Sequence, residues 1–267
     1  MTWIAALTAG YLLLVLTLYL MQDAMVFPGA GRGRGIALRV PPAVRIEVLE
    51  VTGVGRVRLA VGEPRHAPRG LMLFFVGNGE DLRSGVEWAR MWTEYGLASI
   101  VVEYPGYGES EGRTSVASVL ATAEAAMRFT MQRAKERAID WFVGGSSLGG
   151  ASATRVAALG EPAGLLLRAP FDSLESVSRR HYPYLPVGLL LRHRFDCKAD
   201  AGGVRCRTLI VHGDRDRTIP LAHGRALADA FGPRAELLVA EGHGHDDLPL
   251  DLQGPYGERI RAFLFGA

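Results

Sequence analysis

The stretch that decides the fold is IDWFVGGSSLGGASATRVAALG, at residues 139–160. It begins with a mostly apolar run, typical of a buried strand, and ends with an alanine-rich run, typical of a helix. The residues between them are glycine, serine and one leucine, and Gly145, Ser147 and Gly149 fit the pattern G-x-S-x-G. Strand, tight turn and helix in this order predict that the turn exposes the Ser147 hydroxyl above the sheet. The alternative is a glycine-rich turn that only starts a helix or binds an anion there.

Short apolar runs recur on both sides of this stretch. We predict eight strands, at Val44–Val51, Val57–Val61, Leu71–Val76, Ala98–Val102, Ile139–Val143, Gly164–Arg168, Thr208–Val211 and Glu236–Val239. Several are almost entirely Val, Ile, Leu or Phe, as expected for strands buried on both faces. Helix-forming stretches such as Ser115–Lys135 and Leu221–Phe231 lie between them. This alternation predicts the α/β class, with a mostly parallel central sheet and helices on both faces.

Length and composition fit one large domain. The chain has 267 residues, of which 48% are hydrophobic and 22% charged, so disorder and collagen-like repeats are excluded. The 30 basic and 28 acidic residues are scattered along the chain, which argues against a nucleic-acid partner. Cys197 and Cys206 are too few for a disulfide framework and leave open both their pairing and the cellular compartment.

The amino-terminal sequence indicates a membrane-spanning segment. Trp3 to Met21 are nineteen residues without a charge, and a helix of that length is about 28 Å long, close to the hydrocarbon thickness of a bilayer. We expect a single-pass membrane anchor at residues 1–24, a glycine- and arginine-rich linker at 25–43 and the folded domain at 44–267. A cleaved signal peptide is the alternative, but no basic residue precedes the apolar run and no clear Ala-x-Ala site follows it.

The side of the membrane is less well defined by the sequence. Arg32, Arg34 and Arg39 follow the span and no Lys or Arg precedes it. This bias argues for a cytoplasmic domain, while a periplasmic or extracellular one stays open.

A serine nucleophile needs a base and an acid, and both are available downstream. A serine hydroxyl is weakly nucleophilic until a base takes its proton and an acid orients that base. The seventh predicted strand is followed by Asp214 and Asp216, and the eighth by His243 and His245. Ser, Asp and His in this order, each just after a strand, indicate a catalytic triad. The alternative interpretation is a metal-assisted enzyme, in which the metal ligands would be His243, His245 and Asp246 or Asp247.

The sequence resembles the α/β-hydrolase family, and within it the membrane-anchored serine hydrolases of the Bem46-like and α/β-hydrolase domain-containing 13- and 17-like group. The resemblance covers nearly the whole chain. It rests on the anchor ending in Met25–Pro28, Gly77-Asn78, Tyr104–Gly112, the serine turn, Tyr184–Val187, and the acid and histidine loops.

The resemblance assigns the site residues one by one. The family's HGxxDxxxP pattern places the acid on Asp216, and its GxGHxDL-like pattern places the base on His245. The family's oxyanion-hole donors fall on the backbone N–H groups of Asn78 and Leu148, although this chain has Val76 where the family has histidine before Gly-Asn. Asp214 would then hold its loop through backbone hydrogen bonds, and His212 would have a structural role. A small cap is implied at about 172–205, with an apolar segment at Tyr182–Leu191.

The expected protein is therefore a serine hydrolase of esters, thioesters or amides that acts on lipid-like or acyl substrates. It needs no cofactor or metal, and its N-terminal helix provides its contact with the membrane. The alternative is a membrane-tethered, non-catalytic protein of the same fold that binds a partner or lipid. The sequence indicates neither the physiological substrate nor the oligomeric state.

Overall fold

A mixed sheet of eight strands forms the centre of the molecule in the computed structural model, which describes residues 2–33, 35 and 37–266. The strands are β1 (Val44–Val51), β2 (Gly55–Gly62), β3 (Leu71–Phe75), β4 (Ala98–Val102), β5 (Trp141–Ser146), β6 (Gly164–Arg168), β7 (Arg207–Gly213) and β8 (Ala235–Ala240). Their order is β1-β2-β4-β3-β5-β6-β7-β8. β2 is antiparallel to β1 and β4, and the other neighbouring pairs are parallel. The predicted α/β class and mostly parallel sheet are confirmed.

Helices connect and cover these strands. They are α1 (Thr2–Leu20), α2 (Gln22–Val26), α3 (Leu82–Glu94), α4 (Val116–Arg137), α5 (Gly149–Gly160), α6 (Leu174–His181), α7 (Val187–Leu190), α8 (Cys197–Ala201), α9 (Leu221–Phe231) and α10 (Gly257–Phe265). Every residue of β3, β4, β5 and β6 is buried, which requires cover on both faces of the sheet. Cys197 is buried, Cys206 is partly buried, and the two are not bonded to each other.

The strand and helix bounds follow local signals in the sequence. The Ser115 hydroxyl accepts a hydrogen bond from the Ser118 N–H and so begins α4 one residue later than predicted. Ala138, at a φ of +51°, ends the helix in the left-handed conformation, and the chain enters β5 at Trp141 rather than Ile139. The helix Leu221–Phe231 has the bounds that the sequence predicts.

The amino-terminal region has two parts with different environments. α1 has a mean hydropathy of 2.0 and no buried residue, so by length and composition it could span a membrane. The chain after it packs on the domain, because Phe27 is buried in the core and Ala30 forms a bridge with Tyr107. The first residues of the expected linker thus belong to the packed structure rather than to a free spacer. Arg34, one of the three arginines that favour a cytoplasmic domain, lies outside the described residues.

Candidate active site

Ser147 stands on the turn between β5 and α5 with a φ of +51°. This left-handed conformation is uncommon for a residue with a side chain and marks a strained turn. The Ser147 N–H donates to the carbonyl oxygen of Arg168 at 2.8 Å, which fixes the turn against the end of the neighbouring strand β6.

The glycines of the G-x-S-x-G pattern allow the chain to turn this sharply. A Cβ on Gly145 would lie 2.3 Å from the backbone oxygen of Gly149, and a Cβ on Gly149 would lie 2.1 Å from that of Phe75. Both distances are far below any van der Waals contact. Glycine is required at both positions so that β5, α5 and β3 approach each other closely enough to present Ser147.

Ser147, His245 and Asp216 form a line of hydrogen bonds. His245 Nε2 lies 3.0 Å from Ser147 Oγ, and His245 Nδ1 lies 2.7 Å from Asp216 Oδ2. A carboxylate accepts only, so Nδ1 carries the proton in this arrangement and Nε2 is free to accept from the serine hydroxyl. The structure thus brings together the three residues that the sequence analysis selected, each at the carboxyl end of a parallel strand.

The Asp216 carboxylate is held in its charged form. Its side chain is fully buried, and Oδ1 accepts hydrogen bonds from the N–H groups of Thr218 and Ile219 at 2.9 and 2.7 Å. Burial by itself would raise its pKa, but the hydrogen bonds from His212, His245 and the Ile219 N–H outweigh it and hold the pKa well below its usual range. His212 donates its main bond elsewhere, since its Nε2 lies 2.7 Å from the Ile219 carbonyl oxygen and 3.5 Å from Asp216 Oδ2.

The neighbouring acid and histidine lie away from the serine. Asp214 Oδ1 accepts a hydrogen bond from the Gly242 N–H at 2.7 Å, so it joins the acid loop to the histidine loop rather than holding only its own loop. His243 Nδ1 lies 3.1 Å from the carbonyl oxygen of Asp247. Over the described residues, no three His, Cys, Asp or Glu side chains are grouped as a metal ion would need, and the alternative ligand set is not brought together.

The backbone N–H groups of Asn78 and Leu148 have no acceptor among the described residues, and both residues line the same cleft as Ser147. The Gly77 N–H is occupied, because it donates to the Glu80 carboxylate. Of the loop after β3, Asn78 therefore keeps a free donor where the sequence analysis expects one. Its side chain binds elsewhere, donating to the carbonyl oxygen of Val26 at 3.2 Å.

Comparison with known proteins places this chain in a family. No protein-family model matches the chain. An uncharacterised protein of Mycobacterium tuberculosis is 32% identical over 188 residues, which are 70% of this chain and 67% of that protein. The alpha/beta hydrolase domain-containing protein 17B of Homo sapiens is 30% identical over 203 residues, 72% of this chain and 65% of that protein. The chain belongs to the α/β-hydrolase family.

A solved structure gives the same fold. An esterase of Pyrococcus furiosus superposes with a TM-score of 0.68 over 86% of this chain and 96% of that chain, at 15% identity. At this identity the likeness concerns the fold alone. Membership of the α/β-hydrolase family supports a hydrolase activity for this chain.

Two tyrosines support the loop after β3 that carries Asn78. The Tyr104 hydroxyl donates to the Val76 carbonyl oxygen at 2.6 Å, and the Tyr107 hydroxyl donates to that of Asn78 at 2.7 Å. Burial raises the pKa of both hydroxyls, so they stay protonated and donate at neutral pH. They hold the loop in place although the chain has Val76 where family members have histidine. In the sequence this Tyr-Pro-Gly-Tyr stretch stands out only as a family motif, and its role in supporting the loop was not predicted.

Arg168 is a second residue that the sequence analysis missed. It ends the otherwise apolar strand β6 and is 7% exposed. Its guanidinium donates to the Ser146 hydroxyl and to the carbonyl oxygens of Asp246 and Leu248, at 3.1, 3.1 and 2.9 Å. Burial lowers its pKa, and these three acceptors compensate part of that cost. Arg168 thus braces the loop that carries His245. The signal available in the sequence was a single charged residue at the end of an apolar run.

An open cleft of about 530 Å³ leads to the serine. Ser147 and His245 form its floor, and most of its remaining lining is apolar, including Val26, Leu148, Phe171, Leu174, Val177 and Ile219. Such a cleft suits an apolar substrate with one polar reacting group.

Proposed function

We propose that this protein is a membrane-anchored serine hydrolase that cleaves esters or thioesters of lipid-like acyl groups. The observation that carries the proposal is the line of hydrogen bonds from Asp216 through His245 to Ser147. In this proposal Ser147 is the nucleophile, His245 the general base and acid, and Asp216 the residue that fixes the tautomer of His245.

The reaction proceeds in two halves. The Ser147 oxygen attacks the substrate carbonyl carbon while His245 Nε2 takes the hydroxyl proton, and the developing oxyanion accepts hydrogen bonds from the Asn78 and Leu148 N–H groups. His245 then gives the proton to the departing alcohol or thiol, which leaves Ser147 acylated. A water molecule, deprotonated by His245, attacks the acyl-enzyme and releases the carboxylic acid and the free serine. No cofactor or metal ion takes part in this scheme.

The proposed membrane attachment rests on α1. Its length and hydropathy suit a single span, and its end is joined to the domain by the packed residues around Phe27. In this proposal the helix is retained as an anchor rather than removed as a signal sequence, and it holds the cleft near the lipid surface, where acyl substrates concentrate.

A fluorophosphonate probe, which labels an activated serine, tests the nucleophile. We expect the full chain to be labelled, and the Ser147→Ala variant to stay unlabelled and to lose esterase turnover by at least roughly a thousandfold. Ser152→Ala is the matched control, since it removes a buried hydroxyl of α5 that has no hydrogen-bond partner among the described residues, and it should keep both labelling and most turnover. A wild-type protein that is neither labelled nor active would favour the non-catalytic binding protein, and equal turnover after Ser147→Ala would reject Ser147 as the nucleophile.

A further inference from the structure

A narrow apolar groove continues from the cleft to the membrane helix. It measures about 80 Å³ and is walled by the end of α1 and by α2 on one side, and by the cap on the other. Four residues line both the groove and the cleft that holds the serine, namely Met25, Val26, Ser178 and Tyr182. The two spaces therefore adjoin each other, and together they extend from Ser147 to Leu18 and Tyr19 on α1.

Polar contacts on either side of the groove hold its walls in register. The buried Gln22 amide donates to the Leu190 carbonyl oxygen and accepts from the Arg192 N–H, both at 2.9 Å. Asp23 binds Arg192 and His193 of the cap at 3.0 and 2.8 Å. These bonds fix α2 against the cap, so the groove between them is part of the folded structure.

The cap segment 182–191 lies beside the apolar part of α1. The Tyr11 hydroxyl donates to the Tyr184 carbonyl oxygen at 2.9 Å. Tyr11 lies nine residues before the end of α1, which is about 13 Å along a helix. If α1 spans a bilayer, this contact places the cap segment at hydrocarbon depth.

The composition of the cap segment fits that depth. Its ten residues, YPYLPVGLLL, carry no charge, and Leu189 and Tyr184 are 88% and 55% exposed. The arginines that flank the segment, Arg179, Arg180, Arg192 and Arg194, suit the headgroup level on either side of an inserted apolar loop. The groove between α1 and this segment thus opens toward lipid.

We propose that this groove is the subsite for the substrate's acyl chain and that the chain enters it sideways from the bilayer. The proposal rests on the proposed function, because it places the acyl carbonyl at Ser147 and runs the chain past Val26 and Tyr182 toward Leu18. The membrane helix is then a wall of the binding site as well as an anchor. Each methylene that the groove removes from water strengthens binding about fourfold, but a chain already dissolved in lipid gains mainly from being guided to the serine.

Bulk added to either wall tests the subsite. In the full chain, reconstituted in phosphatidylcholine nanodiscs, we compare kcat/KM for p-nitrophenyl myristate with that for p-nitrophenyl butyrate. Leu18→Trp on α1 and Leu190→Trp on the cap fill the groove from opposite sides. Each should lower the myristate-to-butyrate ratio by about tenfold or more, because a displaced acyl chain misplaces the carbonyl at Ser147.

Matched controls carry the same change next to each wall residue. Leu16 is 52% and Leu189 is 88% exposed, and neither lines the groove, so Leu16→Trp and Leu189→Trp should keep the wild-type ratio. The thermal unfolding midpoint of each variant shows whether it is folded. Because the two substitutions lie on opposite walls, one folded variant is enough to test the subsite. A wild-type myristate-to-butyrate ratio in both wall variants would overturn the subsite. In that case the proposed hydrolase activity still stands if butyrate turnover depends on Ser147. Butyrate turnover that does not depend on Ser147 would instead reject the proposed function itself.

Discussion

At the residue scale, hydrogen-bond partners separate two aspartates and two histidines that lie two positions apart in sequence. Asp216 and His245 bind each other and reach the serine, whereas Asp214 binds the Gly242 N–H and His243 binds the Asp247 carbonyl oxygen. The same residue types thus contact the serine or its partner at one position and hold the loops at the other. The spacing alone leaves both registers open, and only the family pattern chose between them in advance.

Kinetics on four single variants test this division of roles. Asp216→Asn should reduce kcat roughly a thousandfold or more because it favours the wrong His245 tautomer, and His245→Ala should do so because it removes the base. Asp214→Asn should cost less than about tenfold, since an asparagine Oδ1 can still accept from the Gly242 N–H, and His243→Ala should cost as little. Similar losses in all four variants would contradict the chosen register.

The depressed pKa of Asp216 predicts how stability changes with pH. A carboxyl whose pKa is lower in the folded than in the unfolded chain contributes stability above its unfolded pKa, near 4, and loses it as the pH falls toward the folded value. Each tenfold difference in acidity corresponds to about 1.4 kcal/mol. We expect the free energy of unfolding of wild type to exceed that of Asp216→Asn at neutral pH, and this difference to shrink as the pH falls below about 4. Denaturant unfolding in detergent at several pH values measures it, and a difference independent of pH would reject the argument.

At the element scale, the turn between β5 and α5 depends on a close approach of three backbones. A Cβ on Gly149 would meet the backbone oxygens of Phe75 and Val76 at 2.1 and 2.5 Å, and these atoms cannot move without shifting β3. On the next residue, Gly150, a Cβ would meet nothing nearer than Pro170 at 3.5 Å. These two adjacent glycines therefore differ: the backbone leaves no room for a side chain at Gly149, whereas it leaves room for one at Gly150.

Alanine at each of these glycines measures the difference. Gly149→Ala should destabilise the protein by about 1–3 kcal/mol through overpacking and should abolish turnover, because the same turn positions Ser147 and the Leu148 N–H. Gly150→Ala should be tolerated and gain up to about 1 kcal/mol from helix propensity. Thermal unfolding and ester turnover of the two variants decide it, and equal behaviour would show that the close contact at Gly149 relaxes.

Apolar runs predict the strands well, since the predicted bounds of β1 and β4 equal the observed ones, whereas the fully buried β5 begins two residues later and ends three residues later than predicted. β3 and β6 carry runs of large apolar residues because both of their faces are covered, and the predicted bounds of Gly164–Arg168 equal the observed ones. The supports of the site were not predictable in the same way. Tyr104, Tyr107 and Arg168 act on carbonyl groups 28, 29 and 80 residues away, and no local pattern encodes such partners.

At the scale of the whole molecule, the amino-terminal segment joins three parts that the sequence suggests are separate. Residues 25–43 have the glycine and proline content of a linker, yet Phe27 packs edge-on against His193 and lies near Phe195, both in the cap region. The Val26 carbonyl oxygen accepts from the Asn78 side chain, so the same segment also contacts the loop after β3. Burial of a lone aromatic residue depends on tertiary contacts, and composition alone does not reveal it. The amino-terminal helices, the cap region and the loop at Asn78 are in contact through these few residues.

Shortened chains test these contacts. The full chain should stay with membranes after high-salt and alkaline washes, whereas a chain that starts at Gln22 should be released and still hydrolyse a short, water-soluble ester, because it keeps Phe27 and the contacts of α2. A chain that starts at Val44 lacks Phe27 and should be less stable by at least about 3 kcal/mol, the scale of a large core truncation. It should also lose turnover as the loop at Asn78 loosens. Comparing the unfolding free energies and ester turnover of the two soluble chains measures the contribution of residues 22–43. Equal stability would mean that this segment is a spacer after all, and release of the full chain by an alkaline wash would reject the anchor.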